Sequence, residues 1–196
     1  MPRLFTGLEL PDDLTDDLAL LRGGLVGARW IEPEDYHLTL RFIGDIGDAQ
    51  ANEVYDKLQS IRRPSFTVTL DGLASFGGEK PRAIVARAQP SRELLELQGE
   101  HERAMRRIGL MPESRKFTPH VTLARLRNTS VSAVADWLDT RALLPKQFTV
   151  TNFVLFSSRA STGGGPYVSE ASFQLDRSAL RVGYPAAGDY PVNRAR

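Results

Sequence analysis

Two of the three histidines in this 196-residue chain begin the same four-residue pattern: His37-Leu38-Thr39-Leu40 and, 83 residues further on, His120-Val121-Thr122-Leu123. An imidazole titrates near neutrality and can take or give a proton, and a hydroxyl two residues away can donate to a phosphate oxygen. On a strand, residues i and i+2 share one face while i+1 and i+3 share the other. Each motif would therefore present His and Thr outward and anchor Leu38, Leu40, Val121 and Leu123 in a core. Facing each other across a cleft, the two imidazoles suit in-line displacement at one phosphorus. The neutral one takes a proton from attacking water, and the protonated one gives a proton to the leaving oxygen.

Other chemistries fit less of the pattern. Two histidines without Cys or an HExxH spacing make an incomplete zinc set, so no metal is assigned. A serine hydrolase lacks its GxSxG elbow and gives no reason for a duplicated His motif. Gly163-Gly164-Gly165 lacks the Lys-Ser/Thr of a phosphate loop and reads as a flexible hairpin tip. His101, within GEHERAMRR, reads as an ordinary helix residue.

The elements that must carry the motifs follow from periodicity and breakers. Arg3–Leu10 reads as a strand, and Asp12 caps a helix through Leu14, Leu18, Leu21 and Leu25. Arg29–Ile31 and His37–Ile43 are strands, the latter closed by Gly44. Asp48 caps a helix carrying Ala51, Val54, Leu58 and Ile61, ended by Pro64. Strands over Phe66–Leu70 and Arg82–Ala88 precede a helix that Ser91 caps and Gly109 ends. A basic loop, Pro112–Pro119, leads into the strand His120–Leu126. Ser132 caps a helix with Val134, Trp137 and Leu138. Phe148–Phe156 and Tyr167–Leu175 are strands around a flexible Ser161–Pro166 segment. Several strands adjoin without an intervening helix, which points to an α+β protein in two lobes. The Pro-, Gly- and Ala-rich tail from Gly183 reads as disordered, leaving residues 1–182 as a single bilobal domain.

Composition sets the outer bounds. With 41% hydrophobic and 25% charged residues the chain reads as a folded globular protein. The absence of cysteine excludes disulfides and thiolate chemistry and fits a cytoplasmic location. No apolar run approaches the roughly 18 residues that span a bilayer, and Glu9 arrives too early for a signal-peptide core. Net charge is +1, so no global field marks a polyanion binder, and an anionic ligand must be held locally. Of the 25 basic residues 21 are arginine, a phosphate-matching fork, although base composition of the gene is the better account of most of that bias.

On HLTLRFIG (residues 37–44), HVTLAR (120–125) and the FTPH that opens the second motif, the sequence resembles the two-histidine (2H) phosphoesterases. Within them it is most similar to the RNA 2′,3′-cyclic phosphodiesterases, also called the 2′-5′ RNA ligase family. The likeness extends from RLFTGLELP to the strand ending near Leu175. It implies two pseudo-symmetric lobes with mainly antiparallel sheets lining a central cleft and helices on the outer faces. It also implies cofactor-free and metal-independent hydrolysis of a terminal 2′,3′-cyclic phosphate to a 2′-phosphate, with possible reversal to form 2′-5′ linkages. RNA ends would be the partner, and the protein a monomer. By the family pattern His37 is the general acid to the 3′-oxygen, His120 the general base to water, and Thr39 and Thr122 hold phosphate oxygens.

Five accessory residues are assigned to substrate. Arg41, at i+4 from His37, shares its face on a regular strand. Arg125, at i+5 from His120, is taken from the family pattern and reaches the cleft only through a bulge, a twist or the strand's end. Arg115 and Lys116 lie on the loop before the second motif, and Tyr167 stands where the family often carries a cleft aromatic. Phe42 reads as core. Two alternatives stay open: the same fold acting on small cyclic or 2′-5′-linked nucleotides, and a non-catalytic module that binds RNA ends.

Overall fold

The computed structural model describes residues 3–158 and 166–176. In chain order it contains β1 (Arg3–Glu9), α1 (Asp12–Ala19), β2 (Ala28–Trp30), a single 3-10 turn (Pro33–Asp35), β3 (His37–Asp45), α2 (Asp48–Gln59) and β4 (Phe66–Phe76). Then come β5 (Ala83–Ala88), α3 (Arg92–Arg107), β6 (His120–Leu126), α4 (Val131–Asp139), β7 (Lys146–Val150), β8 (Asn152–Ser158) and β9 (Tyr167–Gln174). The glycine run and the tail beyond Gly183 lie outside the described residues. No helix among the described residues is long and apolar enough to cross a membrane.

The strands form one nine-stranded, antiparallel sheet in the order β7-β4-β5-β6-β3-β1-β8-β9, with β2 paired to β6. Its two halves meet at β3 and β6 through a single residue pair, Leu38 opposite Val121. These halves are the two lobes, and the repeat is visible in their composition. Strand, helix, motif strand, helix and strand occur as β1-α1-β3-α2-β4 and again as β5-α3-β6-α4 followed by β7 and β8. The last strand of the first repeat, β4, pairs with β5 in the second lobe, while β8 of the second repeat pairs with β1 in the first. Each lobe is thus completed by the other half of the chain.

Phe148–Phe156, which reads as one strand, is two: β7 ends at Val150 paired with β4 of one lobe, and β8 begins at Asn152 paired with β1 and β9 of the other. Thr151 is the residue where the chain changes lobes. Local β propensity is continuous through it, and only the partners differ.

The helices cover one face of the sheet. Leu14 and Leu18 of α1, Val54 and Leu58 of α2, Leu94 and Leu97 of α3 and Trp137 of α4 join Leu38, Leu40, Val121 and Leu123 in one buried cluster. Both motif strands are therefore anchored from behind, which leaves their other face for a cleft. Helix boundaries follow capping chemistry. Ser91 accepts from the Leu94 amide at 3.3 Å as predicted, whereas α4 is capped by Ser130, which accepts from Ala133 at 3.2 Å, two residues before the expected Ser132. Asp12 and Asp48 are first-turn residues that face the positive helix end, and they do not form side-chain caps. Helix α1 stops at Ala19, short of the predicted Leu25, although Leu25 still reaches the core.

Candidate active site

His37 and His120 are held in the same way. The ring Nδ1–H of His37 donates to the Asp35 carbonyl at 2.8 Å, and that of His120 donates to the Thr118 carbonyl at 2.6 Å. A carbonyl can only accept, so each Nδ1 carries its hydrogen and each Nε2 is left with the lone pair when the ring is neutral. Both rings are half-buried on the helix-free face of the sheet, as are Thr39 and Thr122. Neither threonine hydroxyl has a hydrogen-bond partner among the described residues. The two motif strands meet at Leu38 and Val121, next to both histidines, and the rings are close enough for His120 to act electrostatically on His37.

Burial pushes the His37 imidazole down to about 4, aided by the charges of Arg125 and His120 and opposed by the bond to Asp35. His120 is lowered too, first by burial and then by Arg125, against the bond to Thr118. In the free protein both shifts favour the neutral rings at pH 7.

A bulge decides which neighbours join them. The β1–β3 register slips between Thr6 and Gly7, so that Arg41 pairs with Thr6 and Thr39 with Gly7, leaving Leu40 over. The β5–β6 register slips in the same place, with Ala124 opposite Ile84 and Thr122 opposite Val85, leaving Leu123 over. An extra residue reverses the alternation beyond it. Arg41, predicted to share the face of His37, is therefore turned to the buried side and is 6% exposed. Its Nε donates to Glu102 on α3 at 2.5 Å, and its terminal nitrogens donate to the Phe42 and Met111 carbonyls. It fastens β3 to α3 and does not face the cleft. The same slip brings residue i+5 to the cleft in each lobe: Phe42, read from the sequence as core, is 51% exposed, and Arg125 lies close enough to bear on both histidines.

Aromatic rings surround His37. Phe5 lies 4.9 Å, Phe156 5.6 Å and Tyr167 4.8 Å from its centroid, the last edge-on, and Phe42 is 5.9 Å from Phe5. The Tyr167 amide donates to the Asp35 carboxylate at 2.9 Å, so Asp35 holds the histidine with its carbonyl and the tyrosine with its side chain. Around His120 the described ring contact is Phe76, edge-on at 4.7 Å. Gly7 is needed for close approach: a Cβ there would stand 3.0 Å from the Leu38 carbonyl and 3.5 Å from the His37 ring. Arg115 and Lys116 are exposed on the loop before β6, where neither forms a described contact with the two motifs. His101, by contrast, is fully buried on α3, donates from Nδ1 to the Leu97 carbonyl at 2.9 Å and packs edge-on against Phe153 at 4.5 Å.

Of the rings around His37 sequence reasoning named Tyr167 but missed Phe5, Phe42 and Phe156, and it missed Arg87, which sits directly opposite His120 on β5. The signal for Phe42 was present in the repeat itself, because HLTLRF aligned on HVTLAR places Phe42 over Arg125. Arg87 depends on a long-range pairing with no local trace.

Comparison with known proteins gives the fold a family. The LigT-like phosphoesterase family model matches the chain twice, over residues 8–86 and 85–167, once per repeat. An RNA 2′,3′-cyclic phosphodiesterase of Aquifex aeolicus is 31% identical over 153 residues, covering 75% of this chain and 81% of its own length. One from Aeropyrum pernix is 38% identical over 116 residues, covering 56% of this chain and 66% of that protein. Escherichia coli LigT in complex with 3′-AMP superposes with a TM-score of 0.73 at 26% identity, over 89% of this chain and 99% of that one. With both of its repeats matched and a motif histidine in each, the chain belongs to the LigT-like phosphoesterase family, the 2H phosphoesterases, and is by that membership a phosphoesterase.

Proposed function

We propose that the protein hydrolyses the terminal 2′,3′-cyclic phosphate of RNA to a 2′-phosphate by paired general acid–base catalysis. The observation that carries this reading is the matched anchoring of His37 and His120, each with Nδ1 tied to a backbone carbonyl and Nε2 left for chemistry. The names of the relatives and the nucleotide held by the Escherichia coli neighbour support the substrate class.

Water attacks the phosphorus as Nε2 of His120 takes its proton. The P–O3′ bond breaks, and Nε2–H of the His37 imidazolium gives its proton to O3′. The products are a free 3′-hydroxyl and a 2′-phosphomonoester, and the protonation states of the two histidines are exchanged. Thr39 and Thr122 donate to the non-bridging oxygens, with Arg125 adding a charge-assisted donor. The terminal base rests on Phe42 and Tyr167, which the buried Phe5 backs. This assignment of roles needs the pair's proton on His37. A phosphate anion bound beside that ring supplies the opposite charge that raises its affinity for a proton.

The test is incubation with an oligoribonucleotide ending in a 2′,3′-cyclic phosphate, in EDTA, followed by identification of the product. A 2′-phosphate from the wild type, lost in His37→Ala and in His120→Ala, is the expected result. A 3′-phosphate would reverse the leaving oxygen, and loss of activity in EDTA would overturn the metal-free mechanism. Turnover confined to small nucleotides would move the substrate class, and binding without turnover would leave an RNA-end-binding module.

A further inference from the structure

The two lobes share a backbone but not a charge distribution. Register makes Glu9, opposite His37, and Arg87, opposite His120, equivalent positions. Directly opposed residues of an antiparallel pair point to the same face, so both side chains lie on the cleft side, and both are exposed. The strand position across from the histidine thus carries an acid in one lobe and a base in the other. The positions five residues past each histidine repeat the asymmetry, with Phe42 in the first lobe and Arg125 in the second.

Arg87 is also given space. Its guanidinium lies over Gly72 of β4, where an added Cβ would stand 2.9 Å from Nη2, and Gly72 has a φ of +78° that other residues rarely adopt. No hydrogen bond or ion pair engages Arg87 among the described residues. Two strand spacings, about 10 Å, separate β4 from β6, so this charge is displaced from a phosphorus held between the histidines.

We infer that Arg87 receives a second phosphate of the substrate, the phosphodiester on the 5′ side of the terminal nucleotide, and so directs the RNA strand across the second lobe. Glu9 repels the strand from the first lobe, where the aromatic wall takes the base. This rests on the proposed function for the identity of the reacting end. It adds that an oligonucleotide is preferred over a mononucleoside cyclic phosphate and that the preference depends on Arg87.

The experiment compares kcat/KM for cytidine 2′,3′-cyclic phosphate and for the dinucleotide CpC bearing the same end, in wild type, Arg87→Ala and Arg87→Lys. Calorimetric titration of the corresponding 2′-phosphate products across a salt series accompanies it. Arg87→Ala is expected to lower the dinucleotide-to-mononucleoside ratio about tenfold, the loss of one charge-assisted contact. It should also reduce the slope of log affinity against log salt by about 0.7, the value for one single-strand phosphate, with Arg87→Lys keeping most of that slope. An unchanged ratio and slope in Arg87→Ala would overturn the inference whatever the absolute rate, as would equal wild-type affinity for both products. Failure of the wild type to open the cyclic phosphate overturns the proposed function instead, and the binding titration then still decides the role of Arg87.

Discussion

Phe42 and Arg125 occupy equivalent positions in the two repeats, each five residues past a motif histidine and each turned toward the cleft by one extra residue, Leu40 or Leu123. A regular strand would have placed both on the opposite face. The bulges thus exchange the inventory of the site, removing Arg41 from it and admitting an aromatic ring on one side and a cation on the other.

Removal of either imidazole should lower kcat by roughly 10²–10⁴ while keeping the secondary structure, because both rings lie on the helix-free face of the sheet, outside the main core cluster. His37→Ala and His120→Ala, compared by single-turnover kinetics and circular dichroism, check this. The double variant should lose little more than the worse single one, as groups acting as a unit do.

The pH profile follows from the lowered imidazoles. Activity requires one neutral ring and one protonated ring. It falls at low pH as the base gains a proton and at high pH as the acid loses one. With His37 down to about 4 and His120 below its ordinary 6.5, the kcat/KM maximum should lie on the acid side of 6.5. Arg125→Gln removes a charge that disfavours both imidazolium forms, so it should move the profile to higher pH as well as weaken binding. A maximum at pH 8 in the wild type would contradict the burial of these rings.

Arg41 should matter for stability and not for substrate selection. Its substitution by Ala strands Glu102 and the Met111 carbonyl at the α3 side of β3 and should cost about 3 kcal/mol in urea denaturation. The ratio of activities on different substrates should not change. The sequence placed Arg41 in the cleft because i+4 shares a face with i on a regular strand, and that reasoning had no access to the slip imposed by β1. The motifs, the strands that carry them and the capped start of α3 were legible because each is written in a contiguous stretch. The bulges, the change of lobe at Thr151 and the placement of Arg87 were not, because each is fixed by a partner strand distant in sequence.

His101 should make the fold acid-sensitive. It is fully buried, its Nε2 has no partner among the described residues, and burial pushes the ring down to about 4. A histidine depressed in the folded state from 6.5 gives its full stabilisation above 6.5 and loses it as pH falls through the window to about 4, by an amount on the order of 3 kcal/mol. His37 adds to the loss in the same window. Unfolding free energies at pH 7 and pH 4.5 should therefore differ less in His101→Leu than in the wild type. An equal difference would assign the acid limb to other groups.

The exchange of β4 and β8 between lobes has a consequence for how such a chain could arise and how it comes apart. A polypeptide holding one repeat alone would have a bare edge on its first strand and a surplus last strand. The simplest way to satisfy both is to trade that strand with a second copy, closing a symmetric pair around a shared cleft. The present chain has the topology of such a pair joined covalently, with one half aromatic and the other basic beside its histidine. Because neither half retains a complete sheet without the other, the two should melt in one cooperative transition, and severed halves should regain structure only when mixed.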